Sequence, residues 1–148
     1  MKKGLYIGLC IMVVLFIWHN SLQTAVLSDS RSLAVLAMAR KYASYLGMIH
    51  PETLTNHMIR KAAHVFEYFL LGNSLRLALQ YVPSGRTWAS VYTVLIGIVI
   101  ASIDEYLQLF SPGRGAQVQD VGIDTCGVLL GCLVMSGLLW VWRRKVSS

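Results

Sequence analysis

Four long apolar stretches alternate with shorter polar ones along the chain. They run from about Gly4 to Asn20, Met58 to Tyr81, Trp88 to Phe110 and Val121 to Trp142. Each is close to the ~20 residues that carry an α-helix across ~30 Å of hydrocarbon. Trp18, Tyr81, Trp88, Trp140 and Trp142 stand near the ends of these stretches, where amphipathic rings sit at headgroup level. The pattern predicts an all-α membrane protein with four transmembrane helices, residues 1–148 forming a single transmembrane domain.

The long connection between the first two stretches, Ser21 to His57, has a helical pattern of its own. From Ser30 to Met48, residues Leu33, Leu36, Ala37, Arg40 and Lys41 recur at helical spacing, with Asp29 or Ser30 available as a cap. This segment is too polar to span, and an extra amphipathic helix at the membrane interface is expected. His50-Pro51-Glu52-Thr53 ends it, because the residue before a proline is pushed out of the helical region.

Composition agrees with a membrane location. Hydrophobic residues make up 55% of the 148 and charged residues 14%, and the mean hydropathy is +0.57, too apolar for an ordinary soluble domain. The net charge of +6 comes from basic residues scattered at helix ends, so nucleic acid is not an expected partner and membrane lipids are. Cys10, Cys126 and Cys132 are odd in number and fit no zinc spacing. Lys2-Lys3 before an apolar run resembles a signal peptide, but His19-Asn20-Ser21-Leu22-Gln23 is a poor cleavage site, and an uncleaved first helix is expected. Lys2, Lys3, Arg86 and Arg143-Arg144-Lys145 place both termini in the cytoplasm. All seven acidic residues and all four histidines then fall outside or in the outer half of the membrane. Arg31, Arg40, Lys41, Arg60, Lys61 and Arg114 fall there too.

Ionisable groups at a membrane boundary are costly and mark sites. Helical phase shows where these point. Lys61, His64, Tyr68, Gly72 and Leu75 share one face of the second stretch, with Glu67 beside it. Gly97, Ala101, Asp104 and Gln108 form a line on the third, flanked by Glu105. Asp120, Asp124, Gly127 and Gly131 form a line on the fourth. Two of these lines join acids at one end to small residues deeper down, and small-xxx-small spacing lets helices approach closely. The polar faces should therefore meet inside the bundle.

The chemistry this permits has several readings. The four acids Asp104, Glu105, Asp120 and Asp124 face Lys61, Arg114 and His64. A hard cation such as Mg²⁺ or Ca²⁺ would balance them, and so would a structural network of ion pairs. No particular metal or cofactor is specified. His64 suits a general base, a proton relay or an interhelical hydrogen bond. Arg114, in the loop Ser111-Pro112-Gly113-Arg114-Gly115-Ala116, suits bidentate binding of an anion or carboxylate. Arg76 is expected to snorkel toward headgroups. Ser102 and Ser111 lack the setting of a nucleophile elbow.

Two motifs resemble the VanZ-like family of small bacterial membrane proteins. One is Lys61-x-x-His64-x-x-x-Tyr68-x-x-x-Gly72. The other begins Asp104-Glu105-x-x-Gln108-x-Phe110-x-x-Gly113-Arg114 and continues through Asp120-Val121-x-x-Asp124-x-x-Gly127-x-x-x-Gly131. The resemblance gives the position of Asp124 as either Asn or Asp. It implies a multi-pass protein of the bacterial cell membrane, linked to low-level resistance to teicoplanin, a lipoglycopeptide. Lys61, His64, Asp104, Glu105, Gln108, Arg114, Asp120 and Asp124 are the candidate catalytic residues.

Three functions compete on this reading. An interfacial enzyme would act on a lipid-linked substrate such as a cell-wall precursor on its isoprenoid-phosphate carrier. A non-catalytic binder would hold a lipid headgroup or the lipoglycopeptide and limit the drug's access to cell-wall precursors. A transporter fits less well, because no inverted repeat or broken helix is visible.

Overall fold

The computed structural model describes residues 2–47, 50–83 and 85–147, and among these every regular element is helical. Five α-helices follow one another: α1 Lys2–Ser21, α2 Ala25–Tyr45, α3 Asn56–Ala78, α4 Gly85–Gln108 and α5 Val118–Ser147. Short 3₁₀ turns at Pro51–Thr53 and Leu79–Tyr81 join α2 to α3 and α3 to α4.

Among the described residues, three helices contain a stretch long and apolar enough to cross a membrane: Lys3–Ser21, Gly85–Gln108 and Val118–Val146. That corrects the expected four spans to three. The expected second span does form as α3, and its 23 residues would reach about 34 Å. Arg60, Lys61, Glu67 and Arg76, together with His64, Asn73 and Ser74, make it too polar to stand among the others. α3 packs against α5, α1 and α4, so its polar groups face protein.

The connecting helix also differs from expectation. α2 begins five residues earlier, at Ala25, because Thr24 is the cap, its hydroxyl accepting from the Leu27 N–H at 3.4 Å. It ends at Tyr45, and the expected end at Met48 lies outside the described residues. Its exposed side mixes Val26, Leu33, Val35, Met38 and Tyr42 with Arg31, Arg40 and Lys41. Apolar and charged residues are thus interspersed on that side, and α2 packs on α3. The break at His50-Pro51-Glu52-Thr53 is present as the first 3₁₀ turn. There the Glu52 carboxyl is held below its ordinary value by a backbone hydrogen bond and by His50 Nδ1 at 2.9 Å.

Polarity is arranged inside out relative to a soluble protein. Leu5, Met12, Leu15, Phe16, Leu95, Val99, Leu133 and Leu138 are exposed, whereas Arg76, Thr93, Asp104, Glu105, Gln108 and Asp124 are buried. An exposed apolar surface of this extent fits lipid contact. At one end Tyr6 of α1 stacks on Tyr81 beyond α3, ring centroids 6.2 Å apart, and Arg144 lies 3.8 Å over the Trp140 ring. Arg76 does not snorkel. It is 2% exposed, and its Nε donates to Ser136 Oγ on α5 at 2.9 Å.

Glycines set the contact between α3 and α5. A Cβ on Gly72 would strike the backbone carbonyl of Val128, one on Gly131 that of Phe69, and one on Gly127 would come within 2.6 Å of the Val65 carbonyl oxygen. The two backbones therefore touch along the small-residue line that the sequence marks. This close seam brings the polar ends of α3 and α5 together.

Candidate functional site

The end of α1, the starts of α3 and α5 and the end of α4 converge, and all eight candidate residues gather there. They do not form one undivided cluster. Local hydrogen bonding sorts them into three groups.

The first group closes the α4–α5 connection. Glu105 Oε1 accepts from Gln108 Nε2 at 2.8 Å, and Glu105 Oε2 accepts from the Gln117 backbone N–H at 2.7 Å. Both carboxylate oxygens are thus occupied, and Glu105 and Gln108 are each 4% exposed. Gly113 turns the loop at φ +79°, a left-handed conformation open to glycine. Pro112 then accepts from the Ala25 backbone N–H at 3.1 Å, docking the loop on α2.

Arg114 belongs to that junction. It is not free to fork onto an anion. Its Nη1 donates to the carbonyls of Ser21, at 3.1 Å, and Asn20, at 3.4 Å, and its Nη2 donates to Ser28 Oγ at 2.8 Å. Those carbonyls are among the last of α1, which have no partner within their own helix. Burial pushes the Arg114 guanidinium below its ordinary value, with Arg60 nearby adding to the effect. Ser111 is a structural residue here, its hydroxyl donating to the Ser21 carbonyl at 2.9 Å.

The second group is the ion pair between Lys61 Nζ and Asp120 Oδ1, which joins the first turn of α5 to α3. Asp120 there also meets the positive end of the α5 dipole.

The third group is His64, Asp104 and Asp124. Each offers one donor atom, and these atoms lie within 4.8 Å of one another. Asp104 Oδ1 accepts from Ser21 Oγ at 2.6 Å, and Asp104 Oδ2 meets Gln108 Nε2 at 3.4 Å. His64 Nδ1 stands 3.5 Å from Asp124 Oδ1. The two form an ion pair when His64 is protonated, and His64 Nδ1 and both Asp124 oxygens are buried without a hydrogen bond. Glu67, beside this group, accepts from Asn20 Nδ2 at 2.8 Å.

A cavity of about 450 Å³ opens next to the third group. Asn20, Arg31, Arg60, His64, Glu67 and Arg114 are among the residues that line it. Arg60 Nη1 donates to Asp29 Oδ1 at 3.1 Å, and Arg31 Nη1 to Gln23 Oε1 at 2.6 Å. Arg31, Arg60 and His64 facing one space, with Glu67 the one acid among the lining residues, suit an anionic ligand.

Several members are absent from the motif. Asn20 and Ser21 supply hydrogen bonds to Glu67 and Asp104, and Arg31 and Arg60 line the cavity. The polar run His19-Asn20-Ser21 directly after an apolar stretch was the available signal. It reads equally as a failed cleavage site. Arg31 carried none, because the start of α2 falls earlier than its sequence pattern shows.

No curated protein and no solved structure matches the chain. A profile of the VanZ/LLP1 family matches residues 5–141, nearly the whole length. With the motif residues gathered at one end of an all-helical bundle, the chain belongs to the VanZ/LLP1 family.

Proposed function

We propose that the cavity receives the phosphate-bearing headgroup of a lipid or lipid-linked cell-wall precursor, and that His64 and the carboxylates behind it act on that headgroup. The observation that carries this reading is the lining: Arg31 and Arg60 on one space that also reaches His64. Guanidinium groups match phosphate oxygens in shape and charge, and His64 is placed to exchange a proton with a group held there. Family membership fits a membrane protein related to teicoplanin resistance, and an antibiotic of that class acts on cell-wall precursors outside the membrane. The reading therefore places the cavity at the outer face of a bacterial membrane.

One observation favours a second reading, a binder without chemistry. Lys61, Asp120, Glu105, Gln108 and the Nη groups of Arg114 are all engaged within the protein. In a binder those contacts would simply shape the pocket, and the captured headgroup or lipoglycopeptide would leave unaltered.

Lipid extracts and cell-wall precursors from cells with and without the protein separate the two. A headgroup product that vanishes in His64→Ala, with the variant still in the membrane, supports the enzyme. Unaltered lipids, together with resistance that scales with copy number and persists in His64→Ala, support the binder. Resistance and lipid composition both unchanged in Arg60→Ala and Arg31→Ala would overturn the use of this cavity altogether.

A further inference from the structure

We infer that His64, Asp104 and Asp124 bind a divalent first-row transition ion, of the Mn²⁺ or Fe²⁺ class, at the inner wall of the cavity. The argument begins with Asp124. Its side chain is completely buried, and neither oxygen has a hydrogen-bond partner. An unpaired buried carboxylate is costly, and native structures compensate such groups. Lys61 is taken up by Asp120, and the guanidiniums nearby have partners of their own. Among the described residues the charged group that faces Asp124 is His64, 3.5 Å away, and the two make no hydrogen bond.

The orphaned atoms also converge. Eight buried side-chain atoms lack a partner among the described residues. Half of them are His64 Nδ1, the two Asp124 oxygens and Tyr68 Oη, one helical turn from His64. Donor atoms around one ion of this size stand roughly 3 to 3.5 Å apart, given metal–ligand bonds of about 2.1 Å. His64 Nδ1 and Asp124 Oδ1, at 3.5 Å, already have that spacing. A hydrogen-bonded pair would be closer.

The donor set narrows the metal. Two carboxylates favour hard cations, and one imidazole favours Mn²⁺ and Fe²⁺ over Mg²⁺ and Ca²⁺. This differs from the four-carboxylate set that the sequence suggests, because Glu105 and Asp120 are spent on Gln117, Gln108 and Lys61. Ser21 then plays a supporting part, since its hydroxyl fixes the carboxylate of Asp104. His64 lines the cavity, so the ion would lie directly behind the cavity wall. Any catalytic use of the ion rests on the reading given above. Its binding does not.

The test uses full-length protein in detergent, stripped with a chelator and reloaded with Mn²⁺ alone. Elemental analysis after gel filtration should find about one ion per chain, as a single-site centre requires. Pulsed electron paramagnetic resonance should show coupling from a directly bound imidazole nitrogen. Asp124→Ala should lose the ion, His64→Gln should lose the nitrogen coupling, and the exposed Glu52→Gln should keep both. No Mn²⁺ on the wild type, Mn²⁺ without nitrogen coupling, or undiminished loading of Asp124→Ala would each overturn the proposal. Should Asp124→Ala fail to fold, the wild-type spectrum alone decides. Retention of phospholipid by metal-stripped protein is measured in parallel, so headgroup binding and metal binding fail separately.

Discussion

Ser21, the last residue of α1, donates its hydroxyl to Asp104 Oδ1 on α4 at 2.6 Å, across 83 positions of sequence. Asp104 is completely buried, and its other oxygen has only the long 3.4 Å contact with Gln108. Ser21→Ala removes its shortest partner. The variant should lose about 1–3 kcal/mol of stability, the cost of leaving a buried acceptor unsatisfied. Denaturant unfolding in detergent, followed by helical circular dichroism, reads this directly. An unchanged midpoint would mean that Asp104 has its compensation elsewhere.

The glycines of α5 should split by position. Gly131→Ala drives a methyl group into the Phe69 carbonyl, whereas Gly137→Ala meets nothing within 4 Å. The first should cost about 1–3 kcal/mol through forced separation of α3 and α5. The second should be neutral or gain up to about 1 kcal/mol from helix propensity. Melting temperatures of the two purified variants make the comparison, and equal values would argue against the tight seam.

Lys61 and Asp120 should behave as a coupled pair. Asp120 is only 9% exposed, so Lys61→Met leaves a nearly buried carboxylate alone and should cost on the order of 2 kcal/mol. The double variant Lys61→Met with Asp120→Asn should recover most of that, to within about 1 kcal/mol of wild type. A double-mutant cycle on unfolding midpoints measures the coupling. Strict additivity would sink the pair as a structural unit.

Arg114→Lys should not be conservative. A lysine cannot reach the Ser21 carbonyl and the Ser28 hydroxyl together, as the guanidinium does. The junction of α1, α2 and the loop before α5 should loosen, with faster amide exchange in residues 20–28. Unaltered exchange there would show that the loop is held by its other contacts.

Much of this site was legible in helical phase. The lines Lys61–His64–Tyr68, Ala101–Asp104–Gln108 and Asp124–Gly127–Gly131 turn inward as their spacing requires, because charge and close packing both exclude lipid. What spacing could not show was pairing. Glu105 and Asp104 are adjacent acids, yet one is occupied by a loop N–H and the other faces His64, and only tertiary contact separates them. Span count failed at α3 for a related reason. A helix walled in by protein tolerates a polarity that a window of sequence cannot credit to its neighbours. α2 was misplaced at its start because Ala25-Val26-Leu27 reads as linker unless Thr24 is recognised as its cap.

Arg114 ties the end of the first helix to a loop that is synthesised more than ninety residues later. A chain emerging into a membrane would carry the Asn20 and Ser21 carbonyls without these partners until the segment before α5 arrived. The rim of the cavity would therefore be the last part to form, closing only when α5 is in place.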